Sequence, residues 1–192
     1  MGRLPKRAQG EHTEESIRRV LNLEYLSNPR YLVHNLYVFG WESDYLAQTR
    51  AGYWYEVEIK ISVADFKNDF TKEAKHTTLR CYWLKGKRPH YFSYCVPKEL
   101  VQKVLPLVPP YAGLLAVNEY GHLVCVKEPP RLHSEKYTDE ELRLAEKFYY
   151  NWQAECRKNR EHDRIVRELK YQISFLKEEY KASTGHSIYE AL

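Results

Sequence analysis

Apolar positions along the chain change period several times, and each change marks an element. Ile17, Val20 and Leu21 fall on one helical face behind Thr13, which has the character of an N-cap. Glu14 and Glu15 suit the positive end of that helix, and Asn28-Pro29 should end it. "YLVHNLYVFG", rich in β-branched and aromatic residues, predicts a strand closed by Gly40. "WESDYLAQT" predicts a second strand, residues 50–52 a turn, and "YWYEVEIKI" a third, so that 31–61 forms a three-strand meander. Ser62 then caps one helix running through "VADFKNDFTKEAKHTTLRCYWL", with Val63, Phe66, Phe70 and Ala74 as its apolar stripe. "HYFSYCVP" is a further strand stopped by Pro97, "KELVQKVLPLV" a short helix broken by Pro106, and "GLLAV" with "LVCVK" a hairpin.

Pro129-Pro130 closes this domain, and the pattern changes after it. Thr138 and Glu141 have the spacing of a capping box. Leu142, Ala145, Phe148, Trp152 and Cys156, then Ile165, Leu169, Ile173, Leu176 and Tyr180, mark an apolar helical stripe. That segment is one very long helix or a helical pair. It either packs on its own domain or serves a homodimer or another protein partner. The organisation expected is a flexible basic N-terminus over 1–12, a domain over 13–131 and a helical extension over 132–192.

Composition narrows the class. With 43% hydrophobic residues among 192, the chain can bury a real core. No apolar run approaches the roughly 20 residues that span a bilayer, and the basic start lacks the apolar segment of a secretory signal. A soluble cytoplasmic protein without a membrane partner is the expectation. Cys81, Cys95, Cys125 and Cys156 are scattered singly, which argues against structural zinc and disulfides and for buried free thiols. The net charge of +4 is modest, but Lys60–Arg88 holds eight basic residues against three acidic ones. Such a local excess suits a polyanion, as it also suits a solvated basic helix.

The chemistry lies in "WYEVEIKIS". Alternation puts Val57, Ile59 and Ile61 on one face of the strand and Glu56, Glu58 and Lys60 on the other. If the second and third strands pair across the turn at 50–52, the numbers of facing residues sum to about 102, placing Asp44 opposite Glu58. Facing like charges destabilise a sheet unless something compensates them, and a divalent cation does so. Asp44 and Glu58 are therefore candidate ligands for Mg²⁺ or Mn²⁺, with the main-chain carbonyl of Ile59 as a third. Lys60, on the same face, would orient a water or stabilise charge developing on a phosphoryl group. A lone E-x-K triplet is otherwise an ordinary solvated strand face; the facing Asp44 sets this one apart. Lys67, Lys72, Lys75 and His76 on the following helix are candidate phosphate contacts. "CYWLKGKRPHYF" has the mixed basic and aromatic composition of a single-strand contact.

Asp-x(13)-Glu-x-Lys within an α-β-β-β-α-β order resembles the PD-(D/E)XK nuclease superfamily. "YEVEIKISVADFKNDFTKEAKH" and "PPYAGLLAVNEYGHLVCVKEPP" look closest to its MmcB-like DNA-repair branch, over roughly 14–131. The resemblance implies a restriction-endonuclease-like α/β (α+β) core, a mixed sheet flanked by helices, and metal-dependent cleavage of DNA, with Asp44, Glu58 and Lys60 in the motif's acid, acid and lysine positions. It also implies an added glutamate from the first helix: Glu15, with Glu14 and Glu24 as competitors. Ser43 stands where the superfamily's proline would be. A non-catalytic nucleic-acid-binding or assembly protein on the same fold is the alternative.

Overall fold

Glu14–Glu24 form helix α1, closed at its start by a reciprocal pair of hydrogen bonds between Thr13 and Ser16. The computed structural model describes residues 12–81 and 87–184; the expected basic tail, apart from His12, lies outside that range. Tyr31–Val33 (β1) and Leu36–Tyr37 (β2) replace the single strand expected over 31–40, because Asn35 takes a left-handed turn at φ 51°. "WESDYLAQT" is likewise divided, into Glu42–Ser43 (β3) and Tyr45–Gln48 (β4), with Asp44 at the break. β2 and β3 pair as a small separate ribbon around Gly40 (φ 99°). Trp54–Ile59 is β5.

One helix was expected after β5, and two form: Val63–Asp69 (α2), capped by Ser62, and Glu73–Arg80 (α3). The separation has a local cause. The amides of Phe70, Thr71 and Lys72 each turn back three residues, to Lys67, Asn68 and Asp69, and the Thr71 hydroxyl takes the Asn68 carbonyl at 2.8 Å. Tyr82, Trp83 and Leu84, where the single helix was to finish, lie outside the described residues. Tyr91–Pro97 (β6), a short helical turn at Val101–Val104 (α4), Gly113–Val117 (β7) and Leu123–Lys127 (β8) complete the domain.

The main sheet has the order β1-β4-β5-β6-β7-β8, with β5, β6 and β7 parallel and the outer pairs antiparallel. It is the mixed, helix-flanked α/β sheet that the sequence predicts. β4 and β5 pair Tyr45 with Val57 and Gln48 with Trp54, the register obtained by folding about residue 51. Each face has its own core. Ile17, Val20 and Leu21 of α1 cover Tyr45, Val57, Ile59 and Cys95. On the other face Phe66 and Leu79 join Phe92, Tyr94, Val96, Val101 and Leu114. A fully covered central strand has no solvent face, so the charged side of β5 is inside the protein.

Residues 132–147 belong with this domain and not with an extension: the described chain divides into two compact units between Lys147 and Phe148. Leu132 donates its amide to the His90 carbonyl, the His90 ring lies 4.2 Å from that of His133, and Leu142 and Leu144 are buried. The Thr138–Glu141 capping box forms, but Arg143 at φ 53° interrupts the chain, so α5 runs over Leu144–Thr184. α5 is one helix of 41 residues, not a pair, about 60 Å long. Trp152, Leu169, Ile173 and Leu176 of its stripe are exposed. The four thiols are free, as expected, but Cys125 is exposed and Cys156 half-buried, so only Cys81 and Cys95 fit the buried reading. Among the described residues no helix is long and apolar enough to cross a membrane.

His90 is fully buried; its Nδ1 accepts the Trp54 amide and its Nε2 donates to the Glu135 carbonyl, which fixes a neutral ring. Burial and the neighbouring His133 lower its pKa to about 4, below the ordinary 6.5. Its contribution to stability is complete above about pH 6.5 and is lost as pH falls toward 4, because the unfolded chain takes up the proton first. Urea denaturation of wild type and His90→Gln should show a stability decrement between pH 7.5 and 4.5 that is smaller in the variant; identical decrements would contradict the assignment.

Candidate active site at the end of the central strand

The C-terminal ends of parallel strands are where open α/β sheets place ligands, and the charged residues of β5 gather at that end. Glu58, 1% exposed, is surrounded by ammonium groups. Its Oε1 accepts from Lys60 at 2.9 Å and Lys72 at 3.0 Å, and its Oε2 from Lys75 at 2.6 Å. The three lysines come from different places: Lys60 two residues on, Lys72 in the turn between α2 and α3, Lys75 in the first turn of α3. The interruption at 70–72 makes this convergence possible.

Asp69 is a second buried carboxylate behind them. Lys60, Lys72 and Lys75 stand 3.7, 3.1 and 3.4 Å from it, and the Tyr94 hydroxyl donates to it at 2.9 Å. His76 lies 3.2 Å from its carboxylate, donates Nε2–H to its main-chain carbonyl at 3.0 Å, and accepts from the Tyr111 hydroxyl at 2.8 Å through Nδ1. Burial works against ionising Asp69, but the His76 contact and the charges of Lys75 and Lys60 outweigh it and hold the carboxyl well below the usual range. Lys60 is pulled down by burial and up by Glu58 and Asp69, with a net upward shift; Lys72 follows the same balance. Both remain charged at neutral pH.

Asp44 approaches from β4. Its Oδ2 accepts the Ile59 amide at 2.9 Å, a side chain taking the place of a ladder partner where the strand breaks. Burial first, then the like charge of Glu58, pushes its carboxyl up to about 6. The ladder ends at the Tyr45–Val57 pair, and Asp44 stands at the bend one residue beyond it, near enough to Glu58 for their charges to interact. The Lys60 amide bonds to Cys95 on the β6 side, so the peptide groups of Ile59 face the β4 side, where Asp44 stands. Asp44, Glu58 and the Ile59 carbonyl would offer hard oxygens of the kind a divalent cation takes, although both oxygens of Glu58 are engaged by lysines here. Among the described residues no group of three or more His, Cys, Asp or Glu side chains is arranged to hold a metal ion. Any further ligands would be water or substrate.

Several sequence-predicted residues occupy other positions. Glu15 is engaged by Arg18 and Arg19 and Glu14 by Arg18, and of the two it is Glu14 whose charge reaches Asp44. Glu24 accepts from His122 and the Leu123 amide at the far hairpin. Lys75 is buried against Glu58 and His76 is locked between Tyr111 and Asp69, so neither is a surface phosphate contact. Lys72 is half exposed and Lys67 exposed. In "CYWLKGKRPHYF", residues 82–86 lie outside the described range, while Arg88, His90 and Phe92 are buried. Asp69, Tyr94 and Trp41 were missed. Asp69 had a signal: it falls between Phe66 and Phe70 on the buried stripe, where a charge requires a partner. Glu56, fully buried, accepts the Trp41 indole N–H at 2.6 Å and is raised by burial to about 7.

No family model matches the chain, and no curated protein matches it. Among solved structures, SPO1766, a protein of unknown function from Silicibacter pomeroyi, is similar, with a TM-score of 0.51 and 17% identity, covering 80% of this chain and 92% of that one. At that identity the likeness shows a shared fold alone.

Removing one partner of a buried ion pair leaves an uncompensated charge and costs about 3–5 kcal/mol. Lys75→Met should lower unfolding free energy by about that much in urea titrations, against roughly 0.5 kcal/mol or less for Lys67→Met on the exposed side of α2. Equal losses would remove Lys75 from the network.

Proposed function

We propose that the protein is a metal-dependent nuclease that hydrolyses DNA phosphodiesters where β5 ends. The observation that carries the reading is that Asp44, bonded to the Ile59 amide, carries a carboxyl raised by burial and by the charge of Glu58, with Lys60 in hydrogen-bond contact with Glu58. Asp44, Glu58 and the Ile59 carbonyl would hold Mg²⁺ or Mn²⁺. A divalent ion supplies Lewis acidity toward a phosphate oxygen and an activated water.

The protein's own residues do the rest. Lys60, fixed by Glu58 and Asp69, would orient the attacking water or meet the charge that develops on the phosphoryl group. Lys72, half exposed, is able to leave Glu58 for a phosphate. Glu14 is the candidate acid from the first helix. The buried Asp69–Tyr94–His76 arrangement limits where the lysines can go, which preorganises the site. DNA is the partner in this reading and the cytoplasm its location. The exposed stripe of α5 offers a surface for a second copy or another protein.

A binder without turnover is favoured by a different observation: the lysines already neutralise Glu58, so the cluster is complete as an ion-pair network. Plasmid nicking with Mg²⁺ or Mn²⁺ decides. Wild type should cut, and Asp44→Asn should lose at least about 100-fold in rate, the scale on which single charge-stabilising groups act, with an unchanged circular dichroism spectrum. Mn²⁺ should raise the melting temperature of wild type alone. Equal cutting by the variant would exclude this site, and salt-sensitive DNA binding with neither cutting nor a melting shift would establish the binder.

A further inference from the structure

We infer that the cavity beside Trp41 takes one unstacked nucleobase of a single DNA strand whose phosphate rests on Lys72, an inference that builds on the nuclease reading by naming its substrate class. The cavity has a volume of about 360 Å³ and is lined by Phe39, Trp41, Lys72, Ala74, Lys75 and Thr78. Phe39 and Trp41 contact one another with ring centroids 6.2 Å apart and planes tilted by 43°, and both line the cavity. The cavity they line with Lys72 and Ala74, not the space between the two rings, is what leaves room for a flat guest.

Trp41 is held in place from behind. Its indole N–H donates to Glu56 at 2.6 Å, and Glu56 is fully buried, so the ring is fixed before any ligand arrives. Preorganised aromatic faces are what base stacking requires, and stacking tolerates any base. The second observation is the sharing of side chains. Lys72 and Lys75 line this cavity and also contact Glu58, so its occupant sits one side chain from the proposed reacting phosphate.

Charge assigns the parts of the nucleotide. Glu73 also lines the cavity, which disfavours a phosphate inside it and offers an acceptor to an exocyclic amino group. The half-exposed Lys72 is left for the backbone. A base within an intact duplex is stacked on both sides and cannot enter, so the site selects single strands or unpaired positions.

Fluorescence anisotropy with a labelled 12-nucleotide single strand, and with the same strand in a duplex, tests this in EDTA, so that loss of hydrolysis and loss of this pocket are read separately. Wild type should bind the single strand about 10-fold more tightly than the duplex. Trp41→Leu should lose about 10-fold on the single strand and leave duplex binding unchanged, the scale of one stacked base. Ala74→Trp fills the cavity from an exposed helical position and should do the same, keeping the test valid if Trp41→Leu does not fold. Equal wild-type affinity for both DNAs, or wild-type single-strand affinity in Ala74→Trp, would overturn the assignment. Single-strand selectivity retained in a protein that does not cut would sustain the pocket and remove the nuclease.

Discussion

The carboxylate of Glu58, enclosed at the end of the central strand and contacted by Lys60, Lys72 and Lys75, is the constraint around which this domain is arranged. An anion buried there must be matched by positive charge, because desolvation alone would cost several kcal/mol. Matching it from one element is impossible, since a strand brings only Lys60 to that face. The other two ammonium groups come from the turn and first turn of the next helix pair, and they are positioned by the interruption after Asp69. A continuous helix would carry residues 72 and 75 farther along its axis. Asp69 then balances the three lysines, and Tyr94, His76 and Tyr111 fix its orientation.

The same logic explains why a strongly β-forming segment alternates so cleanly between apolar and charged residues. Val57 and Ile59 serve the core under α1. Glu56, Glu58 and Lys60 face the layer of α2 and α3, where no solvent screens them. Charges retained in such a place are expensive, and their cost is rational where a site must hold cations and phosphates together. Burial and the charge of Glu58 raise the Asp44 carboxyl to about 6, so a cation held there would compete with a proton as pH falls through that value.

Much of this was legible in the sequence because it rests on local rules. Period-two alternation gave the faces of β5, and the short turn at 50–52 gave the register that pairs Tyr45 with Val57 and Gln48 with Trp54. Pro97 and the 113–127 hairpin were equally readable. The departures are local backbone events, two of them set by a side chain that competes with the backbone. Asn35 in a left-handed turn divides the first strand, Asp44 takes the Ile59 amide and divides the second, and Thr71 bonds back to Asn68 and divides the helix. Lys75 and His76 were misread because a lysine at helical spacing looks solvated unless its distant partner is known. Glu58 is 17 positions away from Lys75. The boundary at 131 failed similarly: His90 and His133, far apart in sequence, tie residues 132–147 back to the sheet.

The central claim is that this corner is a cation site which lysines fill when no metal does. A crystal grown from the full chain and soaked in Mn²⁺, with anomalous diffraction recorded at the manganese edge, tests it most directly. The account predicts an anomalous peak between the carboxylates of Asp44 and Glu58, on the Ile59 carbonyl side, with the Lys72 ammonium moved off Glu58. Absence of a peak there at millimolar Mn²⁺, with all three lysines still on Glu58, would contradict it.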